Sequence, residues 1–363
     1  MIGVLCTSYP RGPDDHAGSF VRTRVRALAG AGQAVEVIAA GVGSAGSEGD
    51  VRVLRIPAAS AADIFYAGGA PEALETGALG QRVRAWLEAA HFTARMMALA
   101  AQRAAGWSAV ESHWLVPSAL VACAVAPHLR HRAHAHGGDV FLLARLPGGA
   151  SLARFLCRSR VELVFASADL RDRFARLCGD APEALGARTC VQPAPYDSLL
   201  FRPRPAGEHH SLRRRLRLER FTVLAAGRLV PIKGYDVLVR ALGHLPPQAR
   251  PTLVIAGTGP EELRLRRLAF ACAVDLRLPG LVSPATLADW MAGADLFVHP
   301  CRLLPNGRSE GAPLVVREAL AAGLPVIASA VGGLPELAGQ QRLTLVAPED
   351  PSALAAEIAL AMA

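Results

Sequence analysis

Short apolar runs alternate with amphipathic helical patterns along this whole chain, and a proline-rich break divides the alternation in two. A short apolar run followed by a helix-period segment is the mark of a buried parallel strand and its crossover helix. Before the break, strands are expected at Ile2–Thr7, Ala34–Ala39, Val51–Ile56, Ala109–His113, Ala133–His136, Leu163–Ser167 and Cys190–Gln192. Helices are expected there at Ser19–Ala29, Gln81–Ala105, Pro117–Ala126, Leu152–Cys157 and Ala168–Leu177. After it, strands fit Thr222–Ala226, Thr252–Ala256, Leu276–Leu278, Leu296–His299, Val326–Ser329 and Leu343–Val346. The helices between them fit Tyr235–Leu242, Glu261–Ala271, Ala285–Ala292 and Pro313–Ala322. Pro195, Pro203, Pro205 and Gly207 lack periodicity and lead into Arg213-Arg214-Arg215-Leu216-Arg217, a linker signature ending in a short basic helix. The expectation is an α/β protein of two doubly wound domains, residues 1–195 and 219–363, joined by a linker at 196–218 and facing each other across a cleft. Ligands of such folds bind at the carboxyl ends of the strands, so function is expected there.

Composition narrows the partners. Hydrophobic residues make up 52% of the 363 and charged ones 19%, which excludes a disordered chain. The longest weakly polar stretch, Ala319 to Leu334, is cut by Gly323, Pro325 and Gly332-Gly333, so no membrane-spanning helix is expected. The net charge of +8 suits anionic ligands. Aromatics are only 5%, and without stacking side chains the basic charge does not point to nucleic acid. Of the 39 basic residues Lys233 is the sole lysine, which marks it as a place where a compact ammonium is wanted. Seven cysteines form no Cys-x-x-Cys pair, and Met1–Pro10 has no basic leader and reads as a first strand. Both features fit a reducing, cytoplasmic setting.

Five segments carry chemistry. The densest runs from Arg308-Ser309-Glu310-Gly311-Ala312-Pro313-Leu314 to Arg317-Glu318 and closes at Gly323-Leu324-Pro325. Pro313 suits a first helical position and Gly323 a C-terminal stop, so Gly311, Ala312 and Leu314 present backbone amides to an anion. Glu310 precedes the helix and Glu318 lies roughly 7 Å further along it, at about 1.5 Å per residue. Two carboxylates flanking an anion site suit a nucleotide diphosphate sugar, which carries a diol at each end. Ordinary surface and dipole-compensating glutamates would give the same spacing. Gly227-Arg228 to Lys233-Gly234 follows a strand and supplies two cations where a diphosphate would need neutralising, although a solvated basic loop reads alike. Gly257-Thr258-Gly259 is as good a tight turn as a phosphate loop. Tyr9 to Phe20 brings Gly18 and Ser19 to a helix start, where Ser19 also fits a plain N-cap. His134-Ala135-His136-Gly137-Gly138-Asp139 ends a strand, with His136 suited to a substrate hydroxyl, and His113-Trp114 is a weaker cluster of the same kind. His134 and His136 are expected to diverge, and no metal site is expected.

Together these segments resemble the retaining GT-B glycosyltransferases of glycosyltransferase family four, the group 1 glycosyl transferases. The resemblance spans nearly the whole chain and is most specific across Arg308–Glu336, with the family's Glu-x7-Glu helix and Gly332-Gly333-Leu334-Pro335-Glu336 after it. It implies two Rossmann-like domains and a metal-independent transfer, without a cofactor, from a nucleotide diphosphate sugar to a saccharide or lipid-linked saccharide. By the same resemblance Glu318 would hold the ribose, Glu310 with Gly311, Ala312, Pro313 and Leu314 the sugar, and Arg228 with Lys233 the departing diphosphate. Leu281 and Val282 would meet the base, His136 the donor sugar and Gly18 the distal phosphate. The chain departs from the family at Ala194-Pro195-Tyr196-Asp197, at Ala17 beside Gly18, and in ending at Ala363 where a further helix is usual. A nucleotide-sugar isomerase or epimerase, or an inactive partner subunit of the same fold, is the alternative. Acceptor loops are expected at Pro10–Ser19, Ser60–Gly80 and His113–Trp114. The helix Gln81–Ala105 carries Arg82, Arg84, Arg95 and Arg103 among Trp86, Leu87, Phe92, Met96, Met97 and Leu99. Its favoured reading packs the apolar residues on the first sheet, and its second is a peripheral membrane contact.

Overall fold

The computed structural model describes residues 1–363 apart from 13, 42–45, 58–73, 75–77, 180–184 and 187. Most of the segment expected at Ser60–Gly80 as an acceptor loop therefore lies outside the described residues. The chain divides into two compact units, Met1–Pro195 and Tyr196–Ala363.

The first unit is built on β1 (Ile2–Cys6), β2 (Val35–Ala40), β3 (Gly46–Glu48), β4 (Val51–Ile56), β5 (Ala109–His113), β6 (Arg130–Ala135), β7 (Val161–Phe165) and β8 (Thr189–Val191). Their order in the sheet is β3-β4-β2-β1-β5-β6-β7-β8, parallel except for β3, which runs antiparallel to β4. The second unit holds β9 (Thr222–Ala226), β10 (Thr252–Ala256), β11 (Leu276–Gly280), β12 (Leu296–His299), β13 (Val326–Ser329) and β14 (Leu343–Val346), in the order β11-β10-β9-β12-β13-β14 and all parallel. β9 and β10 are buried at every residue, because helices cover both faces of a parallel sheet. In each sheet the order reverses once, between β1 and β5 and between β9 and β12. That reversal opens the crevice in which doubly wound folds hold ligands.

Among the described residues one strand and two α-helices escaped the sequence reading, besides short 3-10 turns. β3 is only three residues long, and Gly138–Leu143 is a short helix begun by glycine. The helix Pro351–Met362 is apolar nearly all round, so it shows no helical periodicity; Asp350 caps it by accepting from the amides of Ser352 and Ala353. It buries Leu354, Ala355 and Ile358 in the core that also holds Leu238 and Leu242 of the helix Tyr235–His244.

Residues 196–218, read as a linker from their prolines, pack into the second unit. Phe201, Leu212 and Leu218 are buried, and Arg213 bonds Asp295 at 2.7 Å. Their helix is Ala206–Arg215, longer than the short basic helix expected. The helix Leu79–Arg103 also departs from its favoured reading. It buries Ala85, Ala89, Phe92, Met96 and Ala100, yet Leu79, Val83, Trp86, Leu87 and Met97 are exposed. Arg103 does more than line a solvated rim: its half-exposed side chain grips the buried Glu36 at 2.7 Å. All seven cysteines are free thiols. Among the described residues no helix is long and apolar enough to cross a membrane.

Candidate functional site

In the second unit the loop after β9 is shaped by glycines that cannot be replaced without collision. Gly227 has φ +143, and a Cβ there would lie 2.9 Å from the Tyr235 hydroxyl and 3.2 Å from Lys233 Cε. Gly234, at φ +64, closes the turn Pro231–Lys233, and its Cβ would lie 2.0 Å from the Pro300 carbonyl oxygen. Only glycine lets the backbone come so close to the end of β12. Lys233 is thereby aimed at the switch point, where its Nζ lies 3.0 Å from Glu310 Oε1.

Glu310 is held from the other side. A Cβ on Gly332 would lie 1.7 Å from the Glu310 carbonyl oxygen, so the Gly332-Gly333 turn acts as a cradle for the Glu310 loop. Burial raises the Glu310 carboxyl, but the Lys233 charge and its hydrogen bond, with the charge of Arg308 beyond, outweigh it and hold it below the ordinary value. The helix Leu314–Ala321 begins beside it with Pro313 as its N-cap, without any side-chain cap and without an acidic residue in its first turn. Its amides and positive dipole end are therefore available to an anion. Four residues into that helix, Glu318 is 8% exposed and its carboxyl is pushed up to about 7 by burial, against the opposing charge of Arg317.

Two residues at this site were missed. His299, the last residue of β12, is fully buried with neither ring nitrogen hydrogen-bonded, and the Tyr235 hydroxyl is likewise buried without a partner. Burial and the nearby Lys233 charge push His299 down to about 3, so its ring is neutral. The available signal was position alone, since His299 is a polar residue at the end of a strand bordering the switch point. Arg228 lies on the same loop as Lys233, while Leu281 and Val282 follow β11 at the sheet's edge, Leu281 exposed and Val282 packed on the core. Gly257 and Gly259 are a structural turn, because Cβ atoms there would strike the carbonyl oxygens of Gly227 and Leu229 at 1.9 and 2.4 Å.

In the first unit Gly18, not Ser19, is the N-cap of the helix Ser19–Gly30. It sits at φ +76, where a Cβ would come 2.3 Å from the Ser8 carbonyl oxygen. Asp139 clamps the turn after β6: one carboxylate oxygen accepts from the amides of His136, Gly137 and Val140, and the other accepts from Leu115 at 2.7 Å. This fixes the backbone of His136, whose ring packs at 4.6 Å from Phe20 and 5.1 Å from Trp114, centroid to centroid. Trp114 itself holds a left-handed φ of 68°, strained for a non-glycine residue. His136 Nε2 lies 3.0 Å from His113 Nδ1, so the cluster read as weaker is part of the same arrangement. The expected divergence of His134 and His136 is wrong. Two residues apart at the end of one strand, they share a face, with rings 6.3 Å apart and parallel to within 7°.

Comparisons with known proteins agree with this architecture. The family described as "Glycosyl transferases group 1" matches residues 220–363. The chain is 32% identical over 338 residues to D-inositol 3-phosphate glycosyltransferase of Xylanimonas cellulosilytica, covering 87% of this chain and 75% of that one. It is 38% identical over 247 residues to GDP-mannose-dependent alpha-(1-6)-phosphatidylinositol monomannoside mannosyltransferase of Mycobacterium tuberculosis. That match covers 65% of this chain and 62% of the relative, under two thirds of its length. Among solved structures, sucrose-phosphate synthase from Thermosynechococcus elongatus has a TM-score of 0.73 at 20% identity, and Anabaena HepE in complex with UDP has 0.68 at 18%. Each covers 99% of this chain and 89% of the other. At such identities the likeness is one of fold, and that fold is GT-B.

Proposed function

The chain belongs to the group 1 glycosyl transferases, and on that premise we propose that it moves a sugar from a nucleotide diphosphate sugar to a saccharide or lipid-linked saccharide, with retention of configuration and without a metal ion. The observation that carries this reading is the Lys233–Glu310 pair, set beside an uncapped helix start at the switch point of the second unit. An arriving diphosphate competes for the Lys233 ammonium and frees Glu310 to accept hydrogen bonds from sugar hydroxyls. Lys233 and Arg228, with the amides of Gly311, Ala312 and Leu314, then take up the charge that grows on the diphosphate as the glycosidic bond breaks. The ionised Glu318 accepts from both ribose hydroxyls, and Leu281 and Val282 flank the base. On the first unit His136 meets the donor sugar and Gly18 approaches the distal phosphate. The acceptor oxygen bonds to the anomeric carbon on the face that the diphosphate leaves, and the departing phosphate takes the acceptor's proton.

The names of the relatives make GDP-mannose, with an inositol-containing acceptor, the first pair to try. Turnover undiminished by EDTA and a product of unchanged anomeric configuration by NMR are the expected results. An inverted product, or strict dependence on a divalent ion, contradicts the corresponding part of the reading.

The acceptor's setting is part of this reading. Leu79, Val83, Trp86, Leu87 and Met97 fall along one exposed stripe of the helix Leu79–Arg103, about a third of a turn round from its buried face, with Arg84 and Arg95 along one edge of that stripe. An apolar stripe bordered by arginines suits an anionic bilayer surface, which would bring a lipid-linked acceptor to the enzyme. Pelleting with anionic vesicles at low salt, abolished by Trp86→Ser with Leu87→Ser, is expected; no pelleting at low salt argues against membrane contact.

A further inference from the structure

β5 and β6 lie side by side in a register that sets His113 opposite His134. Glu111, two residues before His113, shares its face of the sheet. Among the described residues these three form a buried group in which one possible ligand atom from each lies within 4.8 Å of the others. The Nε2 atom of His113 is buried and makes no hydrogen bond, and the buried Nε2 of His134 has only Glu111 Oε2 near it, at 3.5 Å. An unpaired buried ring nitrogen is costly, so it needs a reason. Both histidines line a cavity of about 120 Å³ with Thr23, Arg24 and Gln192. That is ample for a water molecule.

We propose that Glu111, His113 and His134 form a binding site for a transition-metal dication of the Zn²⁺ kind, with water in the cavity completing its coordination. Two imidazoles and a carboxylate with one open position suit zinc better than the hard, oxygen-seeking cations.

The surroundings supply the outer contacts. With Nε2 on the ion, His113 Nδ1 carries the proton and donates to His136 Nε2 at 3.0 Å, the kind of second bond that orients a metal-bound imidazole. Arg24 donates through Nε to Glu111 Oε2 at 3.0 Å and through Nη2 to Oε1. It uses one lone pair of each oxygen and leaves the other on Oε2, which lies 3.5 Å from His134 Nε2. The guanidinium charge opposes a dication, which makes the bound ion exchangeable rather than permanent. The rings of His113 and His134 stack at 4.6 Å with 11° between their planes, so to share one ion the His134 ring turns about Cβ–Cγ while His113 keeps its bond to His136.

The site is tested on the full chain without any sugar substrate, so it stands or falls apart from the proposed transfer. Protein freed of metal with EDTA and dialysed is titrated with Co²⁺, read by visible absorption, and with Zn²⁺, read by calorimetry. One equivalent of Zn²⁺ is expected, together with an intense Co²⁺ band of low coordination number that Zn²⁺ abolishes. His134→Asn and Glu111→Gln should each weaken binding by at least about tenfold, while His210→Asn on the second unit leaves it unchanged. Absence of stoichiometric uptake overturns the proposal, and so does unchanged affinity in a His134→Asn variant that melts like the parent. Should Glu111→Gln not fold because Arg24 is left without its partner, His134→Asn decides alone.

Discussion

The two units share an architecture and differ in how they assemble chemistry at its switch point. In the second unit the charged pair comes from loops that glycine holds against backbone carbonyls: Gly234 against Pro300 and Gly332 against Glu310. In the first unit the polar groups are strand residues stacked across neighbouring strands: His113 on His134, and His136 beside them. Loops that take up and release a charged ligand need to be placed accurately without being welded in place. Strand residues are fixed by the sheet and suit a role that does not change through a catalytic cycle. On the readings proposed above, the contrast is between a site of transfer and one that binds an ion.

The largest expected effect lies in the second unit. Lys233→Ala and Arg228→Ala should each lower kcat by about 10²–10³-fold with little change in the KM for acceptor, because their charges matter most as the diphosphate departs. Near-normal kcat in both would move the site of charge stabilisation elsewhere and erase the contrast.

Glu318→Gln sharpens the same comparison with two opposed readings. The carboxyl rises from 4.5 to about 7 on folding, so the folded state favours its proton and stability is lost as pH climbs from about 4.5 to 7. The neutral amide should therefore raise stability at pH 8 by up to about 3 kcal/mol and hardly at all at pH 4. It should also weaken nucleoside diphosphate binding, since it gives up one of the two acceptors offered to the ribose. In the parent, that binding should fall as pH drops below about 7 and Glu318 takes up its proton. A variant with parental melting at pH 8 contradicts the assignment of a buried, strained carboxylate.

The smallest effect concerns Gly18 in the first unit. Gly18→Ala should cost about 1–3 kcal/mol through its left-handed φ and its approach to Ser8, with or without nucleotide present. A loss confined to nucleotide binding, with an unchanged melting temperature, would show Gly18 to be a phosphate contact before it is a structural need.

Much of the second unit's candidate site was legible because its residues come in short continuous segments. Lys233 stood out as the sole lysine, and Glu310, Gly311, Pro313 and Glu318 came as one motif whose helix start and stop are fixed by proline and glycine. His299 was not legible, because one histidine closing an apolar strand resembles any other until its unpaired ring nitrogens are found beside Lys233.

What the sequence determined by itself is what local chemistry dictates. Apolar runs and helix periods placed strands such as Val51–Ile56, Thr222–Ala226 and Leu296–His299 to the residue, the last two as continuous runs because both their faces are buried. Two matters were left to the tertiary structure. One is the fate of residues 196–218, whose prolines spell a linker although Phe201, Leu212 and Leu218 find a core to fill. The other is the meeting of Glu111, His113 and His134, which is set by strand register. Register depends on which strands become neighbours and in what alignment, a long-range outcome of packing that no stretch of sequence states.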